Sequence, residues 1–314
     1  MIMSPMNTRA GFLRKRSVIV LGIALLVLYA IIPQLGGFKH SWHYLGQADL
    51  YDVLGAAGLA VLSYFAAGGT YTLLAIRPLR YGPTVLIQLA SMFANRILPA
   101  GIGSIGVNFA YLKRQKHTSA QAATVVAVNN GLGFVGHGLV ILIALGLYDQ
   151  SLHWRLAIHS WYWLVILGVA GALGSISFVP RLRRSLQRQL RQIVTSLLSY
   201  RQRPYRLFGA LATSMALTLC NVLGLWLCAQ AVGTNLSVVQ VLLAFTLGIA
   251  LGAAAPTPGG LGGVEGGMVA GLVGFHAPAS LALAAVLLYR LFNFWLAFLA
   301  GAAAFAYASR RRYI

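Results

Sequence analysis

Long runs of apolar residues alternate with short polar segments along the whole chain. Six of these runs are uninterrupted, and each is long enough to cross the roughly 30 Å of hydrocarbon in a bilayer. They cover residues 17–36, 52–76, 119–147, 161–179, 207–231 and 280–308. The pattern predicts an all-α polytopic membrane protein with about six full transmembrane spans.

Two further apolar stretches, residues 84–112 and 237–275, are interrupted near their middle by proline and glycine. The breaks contain Pro99, Gly101 and Gly103 in the first stretch, and Pro256, Pro258, Gly259, Gly260 and Gly262 in the second. Because such backbone does not stay helical, each stretch is predicted to form two half-helices around a break.

The composition agrees with a membrane protein and excludes a soluble one. Of the 314 residues, 59% are hydrophobic and 9% are charged, against roughly 25% charged in a soluble domain. A net charge of +20 suggests nucleic-acid binding at first sight. The basic residues, however, lie in the gaps between apolar runs, where membrane topology accounts for them. We therefore expect no nucleic-acid partner.

The positions of the basic residues predict the path of the broken stretches. If both stretches return to the side they enter, most of the 24 lysines and arginines fall on one side. If residues 84–112 crossed once, the arginine-rich segment 181–206 would move outside, against the positive-inside rule. We therefore expect two re-entrant hairpins, cytoplasmic N- and C-termini, and the cytoplasmic membrane of a prokaryote.

The two hairpins are then predicted to enter from opposite sides, as an inverted-topology repeat. Residues Pro99–Gly106 align without gaps against Pro258–Glu265, although chance agreement between small residues would account for part of this match. The predicted organisation is one integral membrane domain, 1–314, with repeats at about 52–147 and 207–308 and a basic amphipathic cytoplasmic loop at 181–206.

Three charged residues are predicted to lie at membrane depth: Arg96, Glu265 and Arg290. Each costs roughly 2.5 to 3.5 kcal/mol to insert, so a cavity or a partner is expected. Glu265 is predicted to pair with Arg290 or with Arg96, or to cap the half-helix that it begins. Because a half-helix N-terminus and an arginine both favour anions, a phosphate-bearing headgroup is the expected ligand.

Other residues are weaker candidates for the site. Asn129 and Asn130 are the expected cavity residues of the third span, and Tyr289 adjoins Arg290. The break glycines are read either as points of close ligand approach or as positions of tight helix crossing. Cys220 and Cys228 have no metal-ligand spacing, and neither a metal, a cofactor nor a catalytic set is predicted.

The sequence motifs of this chain resemble those of the flippase-like family known as the lysylphosphatidylglycerol synthase transmembrane region. The similar elements are PAGIGSIG, PTPGGLGGVEGG and LLYR. The resemblance implies that the family's motif residues are Pro258, Gly259, Gly260, Gly262, Glu265, Tyr289 and Arg290. Many members have an acidic residue or arginine where this chain has Gly101 and Ser104. The chain is expected to be a stand-alone member without the family's soluble aminoacyl-transfer domain.

Residues and resemblance together predict translocation of a phosphate-bearing lipid or lipid-linked intermediate between leaflets, with the headgroup passing between the hairpins. Two alternatives are an ion-coupled transporter of a small anionic solute and an intramembrane lipid-modifying transferase; a scaffold role in an envelope assembly is a third. A non-enzymatic role is expected. The expected partners are anionic or phosphate-bearing membrane lipids and enzymes of lipid biosynthesis.

Overall fold

A computed structural model describes Tyr44, residues 46–98, 101–147, Tyr200, and residues 203–254 and 257–314. Within these ranges the regular structure is entirely helical. The helices are α1 (Leu50–Leu74), α2 (Tyr81–Ile97), α3 (Ile102–Arg114), α4 (Ser119–Leu147), α5 (Pro204–Ala231), α6 (Val238–Ala254), α7 (Gly263–Gly274), α8 (Ala279–Arg290) and α9 (Ala297–Arg310). A 3₁₀ turn, Pro258–Gly260, precedes α7, and a π-helix, Leu291–Leu296, joins α8 to α9.

Four of the described helices are long and apolar enough to cross a membrane, and they confirm four of the six predicted spans. They are Leu50–Leu74, Ser119–Ala144, Pro204–Ala231 and Ala279–Arg310. The other two predicted spans, 17–36 and 161–179, lie outside the described residues, as does nearly all of the predicted loop 181–206. The last long helix is the most enclosed of the four. In its apolar 18-residue segment 56% of the residues are buried, against 17–33% in the other three helices.

Local capping explains where several helices begin. The Asp49 carboxylate accepts the N–H groups of Tyr51 and Asp52 at the start of α1. Capping boxes, in which two residues satisfy each other's backbone N–H groups, start two more helices. Thr118 and Gln121 form the box at α4, and Ser237 and Gln240 form the box at α6.

Both broken stretches fold back on themselves as hairpins, and their re-entry into the membrane stays a prediction. In the first stretch, polar contacts join the antiparallel helices α2 and α3. Thr84 Oγ1 lies 3.0 Å from Tyr111 Oη, and Gln88 Nε2 donates to Asn108 Oδ1 at 2.9 Å. The residue farther along α2 contacts the residue that comes earlier in α3. The two helices are therefore antiparallel, and the chain reverses direction at the break. The break residues Pro99 and Ala100 lie outside the described residues.

The second stretch is closed by small residues instead. A Cβ on Gly267 would lie 2.7 Å from Gly248 Cα, and one on Gly271 would lie 2.6 Å from Ala244 Cα. The backbones of α6 and α7 are therefore too close to admit a side chain between them, as in other small-residue helix crossings. The first hairpin is held by buried hydrogen bonds and the second by close backbone packing.

The two hairpins share a local plan. A six-residue connection precedes each, at 75–80 and 232–237, and each first helix has 17 residues. Each second helix ends in a turn with a non-glycine residue at positive φ, Lys116 at 63° and His276 at 68°. The repeat itself and its inverted orientation in the membrane both stay predictions.

The chain forms two compact units that do not follow the predicted repeat boundaries. The described residues of the first unit fall within Met1–Gly58, Met92–Gly103 and Val222–Leu299. Those of the second fall within Leu59–Ser91, Ser104–Asn221 and Ala300–Ile314. The first unit therefore combines the tip of the first hairpin with the whole of the second hairpin and with α8.

Candidate functional site

Glu265 and Arg290 form a buried ion pair in the first unit. Arg290 Nε donates to Glu265 Oε1 at 2.7 Å, while Glu265 Oε2 accepts the backbone N–H of Gly262 at 2.8 Å. Two of the sequence interpretations, an arginine partner and a helix cap, are thus satisfied by one side chain. Of the two possible partners, Arg290 is the one that makes the ion pair.

The position of Glu265 follows from the glycine-rich break before it. α7 begins at Gly263, so Glu265 lies in its first turn, where a carboxylate complements the positive helix end. Gly262 has φ +84° and ψ −46°, a sparsely populated conformation that costs other residues roughly 1–3 kcal/mol. The carboxylate at this helix end comes from the chain itself, so a ligand anion is not needed there.

Arg96, at the end of α2, reaches the last long helix. Its Nη2 donates to the backbone carbonyl of Asn293, and its guanidinium lies over the Phe294 ring, 4.9 Å from the centroid. The Arg290 guanidinium lies over the same ring at 4.2 Å. Cations favour the negative face of an aromatic ring, so the Phe294 ring stabilises both guanidinium groups.

The π-helix makes this arrangement possible. It occupies Leu291–Leu296, directly after Arg290, and contains both Asn293 and Phe294. Short π-helical segments inside α-helices widen the turn and occur frequently at functional sites. Here the widened turn presents the Asn293 carbonyl to Arg96 and buries the Phe294 ring beside Arg290.

The break of the second hairpin also reaches this ring. A Cβ on Gly259, where φ is +63°, would lie 2.7 Å from Phe294 Cε2 and 3.5 Å from Arg96 Cγ. Gly259 thus permits close packing between the second break and the Phe294 ring, while close approach of a ligand at Gly259 stays a prediction. The tips of both hairpins therefore meet at Phe294, inside the first unit.

Arg96, Glu265 and Arg290 are each 8% exposed, and they are the buried residues with a formal charge in the described ranges. Charged side chains are rarely buried unless they are paired. Among the described residues, two guanidinium groups and one carboxylate are buried in this cluster, and the carboxylate pairs with Arg290.

Arg290 Nη2 in this cluster lacks a hydrogen-bond partner among the described residues. So does Asn95 Oδ1, which lies near the first break, 3.8 Å from the position of a Cβ on Gly101. Buried polar atoms normally find a partner. Arg290 is thus held at its Nε edge by Glu265 and has a donor available on its Nη edge. This charged donor can bind an anion.

Comparison with known proteins identifies the family. The family model for the lysylphosphatidylglycerol synthase TM region matches residues 17–301 of the 314-residue chain. The chain belongs to this family. No individual curated protein matches it. Membership confirms the resemblance and, with the long apolar helices, makes this a membrane-embedded protein of a lipid-related family.

The family's motif residues have different surroundings in this chain. Gly259, Glu265 and Arg290 belong to the charged cluster described above. Tyr289 is buried, but its ring stands edge-on to Phe245 with centroids 6.3 Å apart. Gly260 packs its backbone against Gly252 and Val264, in agreement with the tight-crossing interpretation.

In the first hairpin, Gly101 has φ +75° at the break, and Gly103 packs directly against the backbone of Ala94.

Asn129 and Asn130 lie on α4 in the second unit, half-buried and exposed respectively. Their place in a cavity stays a prediction. Pro256, like Pro99, lies outside the described residues. Pro258 begins the 3₁₀ turn that precedes α7.

Two participants were missed from the sequence, Phe294 and Asn95. Phe294 follows Arg290 by four residues on a predicted helix, a spacing at which side chains are neighbours. That spacing was the available signal, but an aromatic residue in an apolar span looks like ordinary lipid contact. Asn95 was masked by its neighbour Arg96, the stronger polar feature of the same stretch.

Proposed function

We propose that this protein moves a phosphate-bearing lipid, or a lipid-linked intermediate, between the leaflets of its membrane. The observation that carries the proposal is Arg290 Nη2, a buried charged donor that lacks a hydrogen-bond partner among the described residues, next to the Glu265 ion pair. Leaving a charged donor unsatisfied away from water is costly, and a bound anion offsets that cost.

The chemistry of the free donor favours phosphate. Arg290 Nη2 is buried without a hydrogen-bond partner among the described residues, and a guanidinium binds phosphate oxygens through strong charge-assisted hydrogen bonds. Arg96 holds a second guanidinium over the same Phe294 ring. The headgroup would therefore meet two cations held in fixed positions by the two hairpin tips and the π-helix.

The surface of the long helices suits the other part of a lipid. Large apolar side chains are exposed on them, including Leu54, Leu142, Phe208 and Leu299. Such a surface is stable next to hydrocarbon. Acyl chains can remain in the bilayer while only the headgroup passes the charged cluster, which avoids extracting the whole lipid.

The bonding of Glu265 supports transport over group transfer. A general acid or base must be within hydrogen-bond reach of the reacting proton. Both carboxylate oxygens of Glu265 are already engaged, one by Arg290 and one by Gly262. Glu265 is therefore better suited to positioning Arg290 than to acid–base chemistry.

Reconstitution into proteoliposomes tests the proposal. Fluorescent phosphatidylglycerol in the inner leaflet becomes accessible to an external reducing agent only after it crosses. We expect Arg96→Gln/Arg290→Gln to slow crossing at least about tenfold, the loss of about 1.4 kcal/mol of headgroup binding. Arg310→Gln removes an exposed arginine and serves as the matched control. Equal rates for wild type and the double variant would overturn the assigned site.

A binding comparison distinguishes lipid translocation from the alternative function, transport of a small anionic solute by the same architecture. Phosphatidylglycerol should raise the unfolding temperature of the purified protein, because a ligand that binds only the folded state stabilises it. Water-soluble glycerophosphoglycerol has the same phosphate without acyl chains, and we expect it to protect much less. Equal protection would favour the solute carrier.

The sidedness of the chain is part of the proposal. Cytoplasmic termini in a prokaryotic cytoplasmic membrane place the described basic segments, such as Lys113–Lys116 and Arg310–Arg312, on the anionic inner face. Enzymes of lipid biosynthesis would supply or consume the lipid there. Labelling of single cysteines introduced at Ser309 and Gln47 in intact cells tests this: the first should be protected and the second accessible.

A further inference from the structure

The second unit has a strongly basic surface. Its described residues include no acidic side chain, whereas its lysines and arginines lie at helix ends and in the connections between helices. Five exposed cations occupy two of these helix ends. They are Lys113, Arg114 and Lys116 at the end of α3, and Arg311 and Arg312 directly after α9. These five residues form the basic face.

The two helix ends of the basic face are neighbours. Tyr313, the residue after Arg312, lies close enough to Tyr111 in the last turn of α3 to act electrostatically on its phenol. Tyr111 is buried, and its hydroxyl lies 3.0 Å from that of Thr84. The chain after α9 therefore lies against the base of the first hairpin, and two distant parts of the sequence form one surface.

Both parts of the basic face adjoin helices that are long and apolar enough to cross the membrane. One such helix ends at Arg310, directly before Arg311. Another begins at Ser119, shortly after Lys116. The Arg311 guanidinium lies over the Tyr307 ring, 5.5 Å from its centroid, and tyrosine is enriched at the membrane–water interface. These positions favour a basic face at the depth of the lipid headgroups.

The basic side chains are not needed to complete the two helix ends. The Lys116 N–H donates to the Lys113 carbonyl and the Arg312 N–H to the Ser309 carbonyl, and in each case the next N–H donates to the carbonyl five residues back. This Schellman pattern satisfies the last carbonyl groups with backbone alone.

The backbone at both ends would accept glycine more readily than a cation. Lys116 has φ 63° and Arg312 has φ 57°, in the left-handed region where glycine is preferred. A basic residue at each of these positions is thus kept at a cost in backbone strain, and such strain is typical of functional positions.

The charge pattern favours a ligand with more than one negative charge. Like charges repel, and no acidic side chain among the described residues of the second unit offsets these cations. A ligand with two anionic groups can place one at each helix end, and after the first has bound, the second binds at a high effective concentration. Basic clusters beside membrane helices bind anionic lipid headgroups.

We infer that the basic face binds a lipid with two phosphates, one phosphate at the end of α3 and the other after α9. The lipid is a bound component of this surface and not the transported molecule, so the inference does not depend on the proposed function. Two of the cations are already oriented by the protein: Lys113 Nζ donates to Ser119 Oγ at 3.1 Å, and Arg311 lies over the Tyr307 ring.

The first test compares ligands on the purified wild-type protein. Thermal stabilisation is measured against diphosphatidylglycerol, which has two phosphates, and against phosphatidylglycerol, which has one. We expect half-maximal stabilisation at an about tenfold lower phosphate concentration with diphosphatidylglycerol. Equal phosphate concentrations would overturn the inference. Inorganic diphosphate or polyglutamate that protects as well as diphosphatidylglycerol would assign the face to a soluble anion, and would overturn it too.

The second test removes one helix end of the basic face at a time. Arg311→Gln/Arg312→Gln and Arg114→Gln/Lys116→Gln should each abolish the preference for two phosphates, because the lipid must reach both ends. A preference that survives in either variant would contradict the proposed bridge.

A matched control removes the same charge elsewhere in the second unit. Arg80 and Arg203 are exposed and lie outside the basic face, so Arg80→Gln/Arg203→Gln should keep the preference. If this control loses as much of the preference as the two face variants, net charge and not the basic face determines it.

Glycine variants separate lipid binding from folding. Lys116→Gly/Arg312→Gly relieves the left-handed strain, so the variant should unfold without lipid at the wild-type temperature or higher. It should nevertheless lose the preference for diphosphatidylglycerol. A lower unfolding temperature without lipid would show that these two side chains serve the fold, and a retained preference would show that they do not bind the lipid.

A change at the buried cluster keeps this inference apart from the proposed function. Arg290→Gln leaves the basic face intact and should keep the preference for two phosphates. Loss of the preference in Arg290→Gln would place the lipid at the buried cluster and overturn the inference. Absence of lipid movement in wild-type proteoliposomes, with the preference present, would refute the transport function alone.

Discussion

Arg96 and Arg290, on different helices of the first unit, hold their guanidinium groups over the same ring, that of Phe294, at 4.9 and 4.2 Å from its centroid. Like charges repel, so this proximity persists only because other contacts hold each arginine. Glu265 holds Arg290, and the Asn293 carbonyl holds Arg96. The predictions below test each part of this arrangement.

Loss of the carboxylate should be costly and largely reversible by a second change. Glu265→Ala leaves Arg290 buried without its counter-charge, and we expect the free energy of unfolding to fall by about 3–5 kcal/mol. Arg290→Met in the same chain removes the orphaned charge and should recover most of that loss. Denaturant unfolding in a fixed detergent measures both. If the double variant is as unstable as Glu265→Ala, the pair does not behave as a buried ion pair.

The Phe294 ring should contribute more than its aromatic packing. Phe294→Leu removes two cation–π contacts, each worth up to about 2 kcal/mol when desolvated, and one aromatic contact, with Trp295. Phe298→Leu removes an aromatic contact at the same centroid distance, with Phe93. We expect Phe294→Leu to lower the unfolding free energy by about 2 kcal/mol more than Phe298→Leu does. Equal losses would show that the cation contacts contribute nothing.

Two glycines of the second break separate steric from backbone effects. Gly259 and Gly262 both have positive φ, but a Cβ on Gly259 meets the Phe294 ring at 2.7 Å, whereas one on Gly262 meets nothing within 4 Å. Gly262→Ala should therefore cost only the backbone strain, about 1–3 kcal/mol. Gly259→Ala should cost more and also slow lipid movement, because the ring that holds both arginines must shift. Thermal unfolding and the proteoliposome assay together measure this, and a Gly262→Ala effect as large as that of Gly259→Ala would contradict it.

His117 should make stability fall at acidic pH. Its Nε2 accepts the Arg77 N–H at 3.2 Å and its Nδ1 donates to the Leu112 carbonyl at 3.1 Å, so the bound form is neutral. Burial lowers the pKa of His117 below its usual 6.5, with the Arg77 charge adding to this and hydrogen bonds to the Leu112 and Gln115 carbonyls opposing it. A lowered pKa means that the stabilisation is present above pH 6.5 and is lost as the pH falls from there through the folded-state pKa.

Unfolding temperatures measured across this pH range in detergent test the role of His117. His117→Gln has no titrating ring and should show a flatter profile than wild type. His276→Asn, at an exposed position in the corresponding turn of the second hairpin, should keep the wild-type slope. A wild-type slope that survives in His117→Gln would assign the acid sensitivity to another group.

Asn95 should matter for transport and not for stability. Its Oδ1 is buried without a hydrogen-bond partner among the described residues, so Asn95→Leu removes an unsatisfied polar atom and should leave stability unchanged or raise it. If that oxygen accepts a donor from the headgroup, lipid movement should fall about fivefold, the value of one hydrogen bond of about 1 kcal/mol. Asn108→Leu, which breaks bonds to Gln88 and Ser104, should instead lower stability. Unchanged transport in Asn95→Leu would remove Asn95 from the site.

The sequence alone was sufficient for the four long helices that the structure describes, for the places where the two other stretches break, and for the three buried charges. Apolar runs of bilayer length can only be helices in a membrane, because every backbone polar group needs an internal partner. Proline and glycine inside such a run interrupt the helical hydrogen bonds locally, independently of the tertiary contacts of the run. Arg96, Glu265 and Arg290 stand out for a similar reason, since a charge in an apolar run is expensive wherever the run folds.

Only the tertiary structure decided which charges meet. Glu265 had two possible partners, and the choice of Arg290 depends on how α7 lies against α8. The close approach of Gly259 to Phe294 and the donation from Arg96 to Asn293 depend on the π-helix, whose register shift leaves no clear mark on an apolar sequence. A hydropathy pattern depends on residues that are neighbours along the chain. A binding site depends on distances in space between residues that are far apart in the sequence. The charged cluster joins residues 96, 259, 265, 290 and 294, and only packing brings such distant positions together.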